Sequence, residues 1–215
     1  SSWYPDMFAD RSLSAAAKRK IDPEPDRFIE PEPPRTALYR RLWQLTAEAV
    51  RENTAPPLRY IYATEYYLGN AVASLRAGDP RSAIKFCGTF SHIIADIGEP
   101  AHAAPPRWVD ALIRRPPRYQ SFCLHSMEGL RAPVNIRGYR PRVLGATLPR
   151  AVMGVYARLE ALRALGGYQA VPIVQALYAG RRREARRLSS LAQNASARVT
   201  ADFLHTAFRL ARSTP

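Results

Sequence analysis

The stretch from Phe90 to Ala103, FSHIIADIGEPAHA, decides how the rest of the chain is read. It closes an apolar run that begins at Pro80, and it carries two of the four histidines, His92 and His102, with Asp96 between them. The run predicts a helix, and on a helix His92 and Asp96, four residues apart, stack on one face about one turn apart. Pro100 is expected to end that helix, leaving His102 just beyond the break. A helix that sets an imidazole over a carboxylate, followed by a turn that returns a second imidazole, is a workable scaffold for metal ligands. The plainer reading is one salt-bridged His–Asp pair and a surface histidine.

Working outward, Asp79-Pro80 supplies an N-cap and a first-turn proline for this helix. Gly78 stops the preceding one, which is expected from about Leu58 to Ala77. Pro56-Pro57 breaks the chain before it. Thr36 reads as the cap of a helix to about Asn53, with Leu38, Leu42, Leu45 and Ala49 on one face. The segment Asp22 to Pro34, DPEPDRFIEPEPP, has five prolines in thirteen residues, a density that forbids ladders and predicts an extended surface segment. Downstream, Pro105-Pro106 and Pro116-Pro117 bracket a short helix, Arg107 to Arg115. Another is expected from Arg118 to Leu130, then a loop from Arg131 to Arg142. A helix from Leu148 is expected to end at Gly166-Gly167, with a shorter one from Tyr168 to Gly180. Arg181 to Ala211 completes the chain as one long helix or two. No alternating stretch is long enough for a strand, and no fixed-period repeat appears. The expected fold is all-α, a single domain over residues 1–215.

The charge balance bears on partners. The chain has 215 residues, a formal net charge of +14 and a pI near 10.4, and of its 32 basic residues only Lys18, Lys20 and Lys85 are lysines. Such a field favours phosphate-bearing or other anionic partners, although arginine also serves as a general solubilising residue. The run Arg181 to Arg187, RRREARR, carries the same two readings: a patch for phosphate backbone or lipid headgroups, or the solvated face of a helix. Tyr60, Tyr62, Tyr66 and Tyr67 read as core and groove wall. No run of eighteen apolar residues predicts a membrane span, and no leader pattern opens the chain. Cys87 and Cys123 lack C-x-x-C spacing, which excludes a cysteine-based zinc site but leaves open a disulfide or two free thiols. No Gly-rich phosphate loop or G-x-S-x-G motif is present.

His125-Ser-Met-Glu128 is the second place with ligand chemistry, because residues three apart on a helix share a face. Together His92, Asp96, His102, His125 and Glu128 supply three imidazoles and two carboxylates. That donor set suits zinc, and a carboxylate is able to bridge two ions. His205, in the apolar FLHTAF, reads as a packed or capping residue.

The segment Gly78 to Ala104, with its Gly-Asp start, its H-x3-D-x5-H spacing and the proline just before the last histidine, resembles the central helix of the zinc-dependent phospholipase C and single-strand nuclease superfamily. His125-Ser126 and Glu128 look like that family's second helix, and Leu188 to Leu210 is similar in character to its closing helix. The resemblance implies a multi-helix fold of the phospholipase C and nuclease type and up to three zinc ions in a helical cleft. It also implies water activated for attack on a phosphodiester, and a secreted or periplasmic protein. Carried over, His92 binds one ion, Asp96 bridges two, and His102, His125 and Glu128 hold another. The substrate class is a phospholipid headgroup or single-stranded nucleic acid, with the phospholipase branch the nearer. The chain departs from the family pattern in three respects. No histidine precedes His92, Trp3 follows two serines instead of opening the chain, and the second motif is H-x2-E instead of H-x3-E. These departures imply a reduced or altered complement of one to three ions. They also support an alternative, a catalytically reduced relative acting as a metal-stabilised binding or structural module. A basic helical nucleic-acid binder without metal is a third reading, resting on charge alone.

Overall fold

The computed structural model describes residues 58–104, 106–119, 127 and 130–213, with Ser14 and Ala16. Among the described residues every regular element is helical. The α-helices are α1 (Leu58–Arg76), α2 (Pro80–Gly98), α3 (Pro100–Ala103), α4 (Pro106–Leu112), α5 (Leu148–Tyr178) and α6 (Arg182–Arg212), with one 3-10 turn at Pro117–Tyr119. The expected all-α class is observed. The proline-rich segment, the helix expected over 36–53, and most of the stretch expected as a helix from Arg118 to Leu130 lie outside the described residues. That last stretch includes Cys123, His125 and Glu128.

Local chemistry accounts for the α1–α2 boundary. Gly78 sits at φ +74°, where a side chain would be strained, and the Asp79 N–H donates to the Ser74 carbonyl at 2.9 Å, a C-terminal cap. Asp79 Oδ1 then accepts from the Ser82 N–H at 3.0 Å and caps α2, with Pro80 at its first position. The same device closes α5: Gly180 has φ +74°, and the Arg181 N–H donates to the Ala176 carbonyl at 2.8 Å.

One expectation is corrected. Gly166-Gly167 does not end a helix; α5 runs unbroken from Leu148 to Tyr178, through both glycines and through Pro172. Gly166, Gly167 and Pro172 together cost roughly 5 kcal/mol of intrinsic preference. Leu159, Leu162, Ala170, Ile173 and Val174 are all buried, and the larger aliphatics each return about 1.5–3 kcal/mol. Burial of one continuous face therefore outweighs the local breakers. α6 is a single helix of 31 residues.

The chain divides into two compact units. The first takes the described parts of 1–92 with 143–156 and 204–215. Its core buries Tyr67, Leu68, Phe86 and Phe90, with the Tyr67 and Phe90 rings 5.7 Å apart and Tyr66 edge-on to Phe86 at 6.1 Å. Cys87 lies in this core as a free thiol. Arg76 Nη2 donates to the Leu210 carbonyl at 2.9 Å and the Ser213 carbonyl at 3.1 Å, satisfying acceptors at the end of α6.

The second unit takes 93–142 and 157–203. Its core joins Ala101, Ala104, Val109, Met127 and Leu130 to Ala170, Ile173, Val174 and Tyr178 of α5 and Ala185 of α6. The 3-10 turn is tied to the end of α5: the Tyr119 hydroxyl donates to the Leu177 carbonyl at 2.7 Å and Arg118 Nη2 to the Tyr178 carbonyl. The Tyr119 and Tyr178 rings lie 4.9 Å apart. Residues 131–142, expected as a loop, form an irregular strap laid parallel to α6. Arg186 Nη2 donates to the Arg131 carbonyl, the Asn135 N–H to Asn194 Oδ1, and the Arg142 N–H to Asp202 Oδ1. Each step forward on the strap meets a step forward on α6.

Candidate metal centre

α2 positions the first two expected ligands. Its N-cap fixes where the helix starts, and its apolar side, with Phe86, Phe90, Ile94 and Ile97 buried, fixes its rotation. His92 and Asp96 fall one turn apart beside that apolar side, both half-buried. At the Pro100 break Glu99 is extended (φ −72°, ψ 123°) and α3 follows for one turn. The His102 and Ala103 N–H groups both donate to the Glu99 carbonyl at 3.0 Å. This turn holds His102, whose side chain is exposed. His92, Asp96 and His102 are each engaged in a contact of their own.

Among the described residues no three His, Cys, Asp or Glu side chains gather as ligands for one ion. The structure therefore keeps the His92–Asp96 spacing and does not close a ligand set around it with His102. His125 and Glu128 lie outside the described residues. The chemistry of the pair fits zinc, since one imidazole and one carboxylate are both ordinary ligands of that ion. Cys87 lies one turn before Ser91 and His92, and burial pushes its thiol up to about 11.

Within the second unit, a cavity of about 300 Å³ opens beside the end of α2. Ala95, Gly98 and Glu99 line it from α2 and the break, Val134 from the strap, and Gln193, Ser196, Ala197 and Thr200 from α6. One carboxylate oxygen of Glu99 is fully buried. The cavity thus combines small apolar walls with a carboxylate, an amide and two hydroxyls, a composition typical of small-ligand sites.

A second polar cluster escaped the sequence reading. Asp202, fully buried on α6, accepts from the Tyr139 hydroxyl with both oxygens at 2.8 and 2.9 Å. It also accepts from the Arg142 N–H at 2.8 Å and from Arg158 Nη2 at 3.0 Å. Burial, then the hydrogen bond to Asp202, raises the Tyr139 phenol above its ordinary value. The sequence signal was an aspartate among apolar residues at core spacing, in VTADF. Its partners were invisible because they lie 44 to 63 residues away along the chain. His205, expected to be packed, is half-buried.

No protein-family model, no curated protein and no solved structure matches the chain.

Proposed function

We propose that the protein is a zinc-dependent phosphodiester hydrolase of phospholipase C-like type, with His92, Asp96, His102, His125 and Glu128 as the ligand set. The observation that carries this reading is the half-buried His92–Asp96 pair, one turn apart on α2, with a cavity opening against the following residues. Bound zinc supplies a water of lowered pKa and positive charge against the phosphoryl oxygens. The chain's own groups do the rest. Glu99, Gln193, Ser196 and Thr200 offer a carboxylate, an amide and hydroxyls to orient the group attached to the phosphate, while the alanine and valine walls limit its size. The net charge of +14 raises the local concentration of an anionic substrate.

A catalytically reduced protein with a single structural metal is the second reading, favoured by the H-x2-E spacing of His125 and Glu128, one residue shorter than the pattern it resembles. Metal analysis of the purified chain, with turnover of a generic phosphodiester before and after chelation, separates the two. Two or more zinc ions and chelator-sensitive turnover are expected. One ion or none, without turnover, removes the hydrolase reading. Asp96→Asn and His102→Ala should each lower zinc occupancy, and unchanged occupancy in both would sink the ligand assignment.

A further inference from the structure

The strap brings its own arginines alongside those of α6. Arg131, Arg137, Arg140 and Arg142 are exposed, and residues 131–147 contain no acid. On α6, Arg183, Arg187 and Leu191 follow at one-turn spacing, so they share a stripe, and all three are exposed. The acids nearby are already neutralised: Glu184 pairs with Arg181 at 2.8 Å and Asp202 with Arg158 at 3.0 Å. The bond from the Asn135 N–H to Asn194 sets Val134 beside the turn of α6 that follows Leu191. Val134 is 55% and Leu191 45% exposed. Two bare aliphatics thus stand among guanidinium groups.

This composition discriminates between polyanions. Single-stranded nucleic acid is gripped by aromatic rings that stack on bases. The aromatic at hand, Tyr139, has its ring under the Arg198 guanidinium at 5.5 Å and its hydroxyl on Asp202. A phosphate backbone also leaves Leu191 without a role. A bilayer uses both features, because aliphatic tips enter the headgroup region while guanidinium groups meet lipid phosphates. The geometry points to the arginine-lined face of the strap and α6 as a docking surface for an anionic lipid bilayer. The inference does not depend on the hydrolase reading.

The test is co-sedimentation of the full chain with phosphatidylcholine vesicles, with and without phosphatidylglycerol, at low and high salt. The chain binds the phosphatidylglycerol vesicles, ignores the neutral ones, and is released by salt as the Debye length shrinks. Arg183→Glu with Arg187→Glu weakens binding by about tenfold or more. Leu191→Ser and, on the strap, Val134→Ser each weaken vesicle binding while leaving any binding to single-stranded or duplex DNA unchanged. Equal partition onto neutral vesicles overturns the proposal, as does undiminished binding by the charge-reversed variant with native circular dichroism. DNA binding tighter than vesicle binding, with neither aliphatic substitution affecting the vesicles, assigns the face to nucleic acid instead.

Discussion

Asp202 is an acid on the buried side of a helix, and the hydrogen bonds it accepts from Tyr139, Arg142 and Arg158 are what make that position tolerable. A buried carboxylate without such partners would carry several kcal/mol of desolvation. Removing it strands the partners instead: Asp202→Ala leaves the Tyr139 hydroxyl and the Arg142 N–H without an acceptor. A loss of about 3–5 kcal/mol is expected in urea unfolding. Asp202→Asn is expected to cost less, because the amide oxygen still accepts. Cys87 gives a pH signature. Its thiol rises from 9.0 to about 11 on burial, so the native state holds its proton more tightly than the unfolded chain does. The stabilisation is complete below pH 9 and is lost as pH rises through 11, roughly 3 kcal/mol from this group. Cys87→Ala should flatten that part of the stability profile; an unchanged alkaline slope would show that the thiol is not its source. The raised Tyr139 phenol acts with the same sign.

At the scale of elements, Gly98 and Gly166 let helices approach. A Cβ on Gly166 would stand 2.9 Å from both the Ala103 Cβ and the Gly98 carbonyl oxygen, and one on Gly98 would reach the Ser196 hydroxyl and Leu162. Gly166→Ala gains up to about 1 kcal/mol of helix preference but overfills the contact, and a net loss of about 1–2 kcal/mol is expected. Gly167 is the control. Its Cβ would meet the Ala103 carbonyl oxygen at 3.4 Å, ordinary contact, so Gly167→Ala should be neutral or stabilising by up to about 1 kcal/mol. Thermal unfolding of the two variants compares them directly, and equal shifts would remove the packing explanation. The same pair shows where the sequence was ambiguous. A missing Cβ permits a helix stop and a close crossing equally well, and nothing local in LGGYQ distinguishes them. The caps at Gly78 and Asp79-Pro80 were legible because their hydrogen bonds join residues three to five apart. Likewise the His92–Asp96 spacing follows from helix pitch alone, whereas the walls of the cavity do not.

For the whole molecule, a net charge of +14 means that like charges repel in the compact state more than in the expanded one. Raising salt from low ionic strength to about 0.5 M should therefore raise Tm by several degrees, as screening shortens the reach of that repulsion. A fall in Tm with salt would mean that ion pairs such as Arg158–Asp202 and Arg181–Glu184 outweigh it. The arginine run at 181–187 announced a basic region in the sequence. That the arginines of 131–142 lie along α6, from Arg186 at one end to Asp202 at the other, could not be read there, because the register of the strap on α6 depends on contacts between distant residues.

That register bears on how the chain folds. The strap's bonds to α6 join residues 55, 59, 60 and 63 positions apart, almost a constant separation because the two segments run in the same direction. The entropy of closing a loop of that size, on the order of 4 kcal/mol, is therefore incurred by whichever bond forms first, and the others add little. Docking of the strap should proceed as a single zipping event that waits on the formation of α6, with no stable half-attached state.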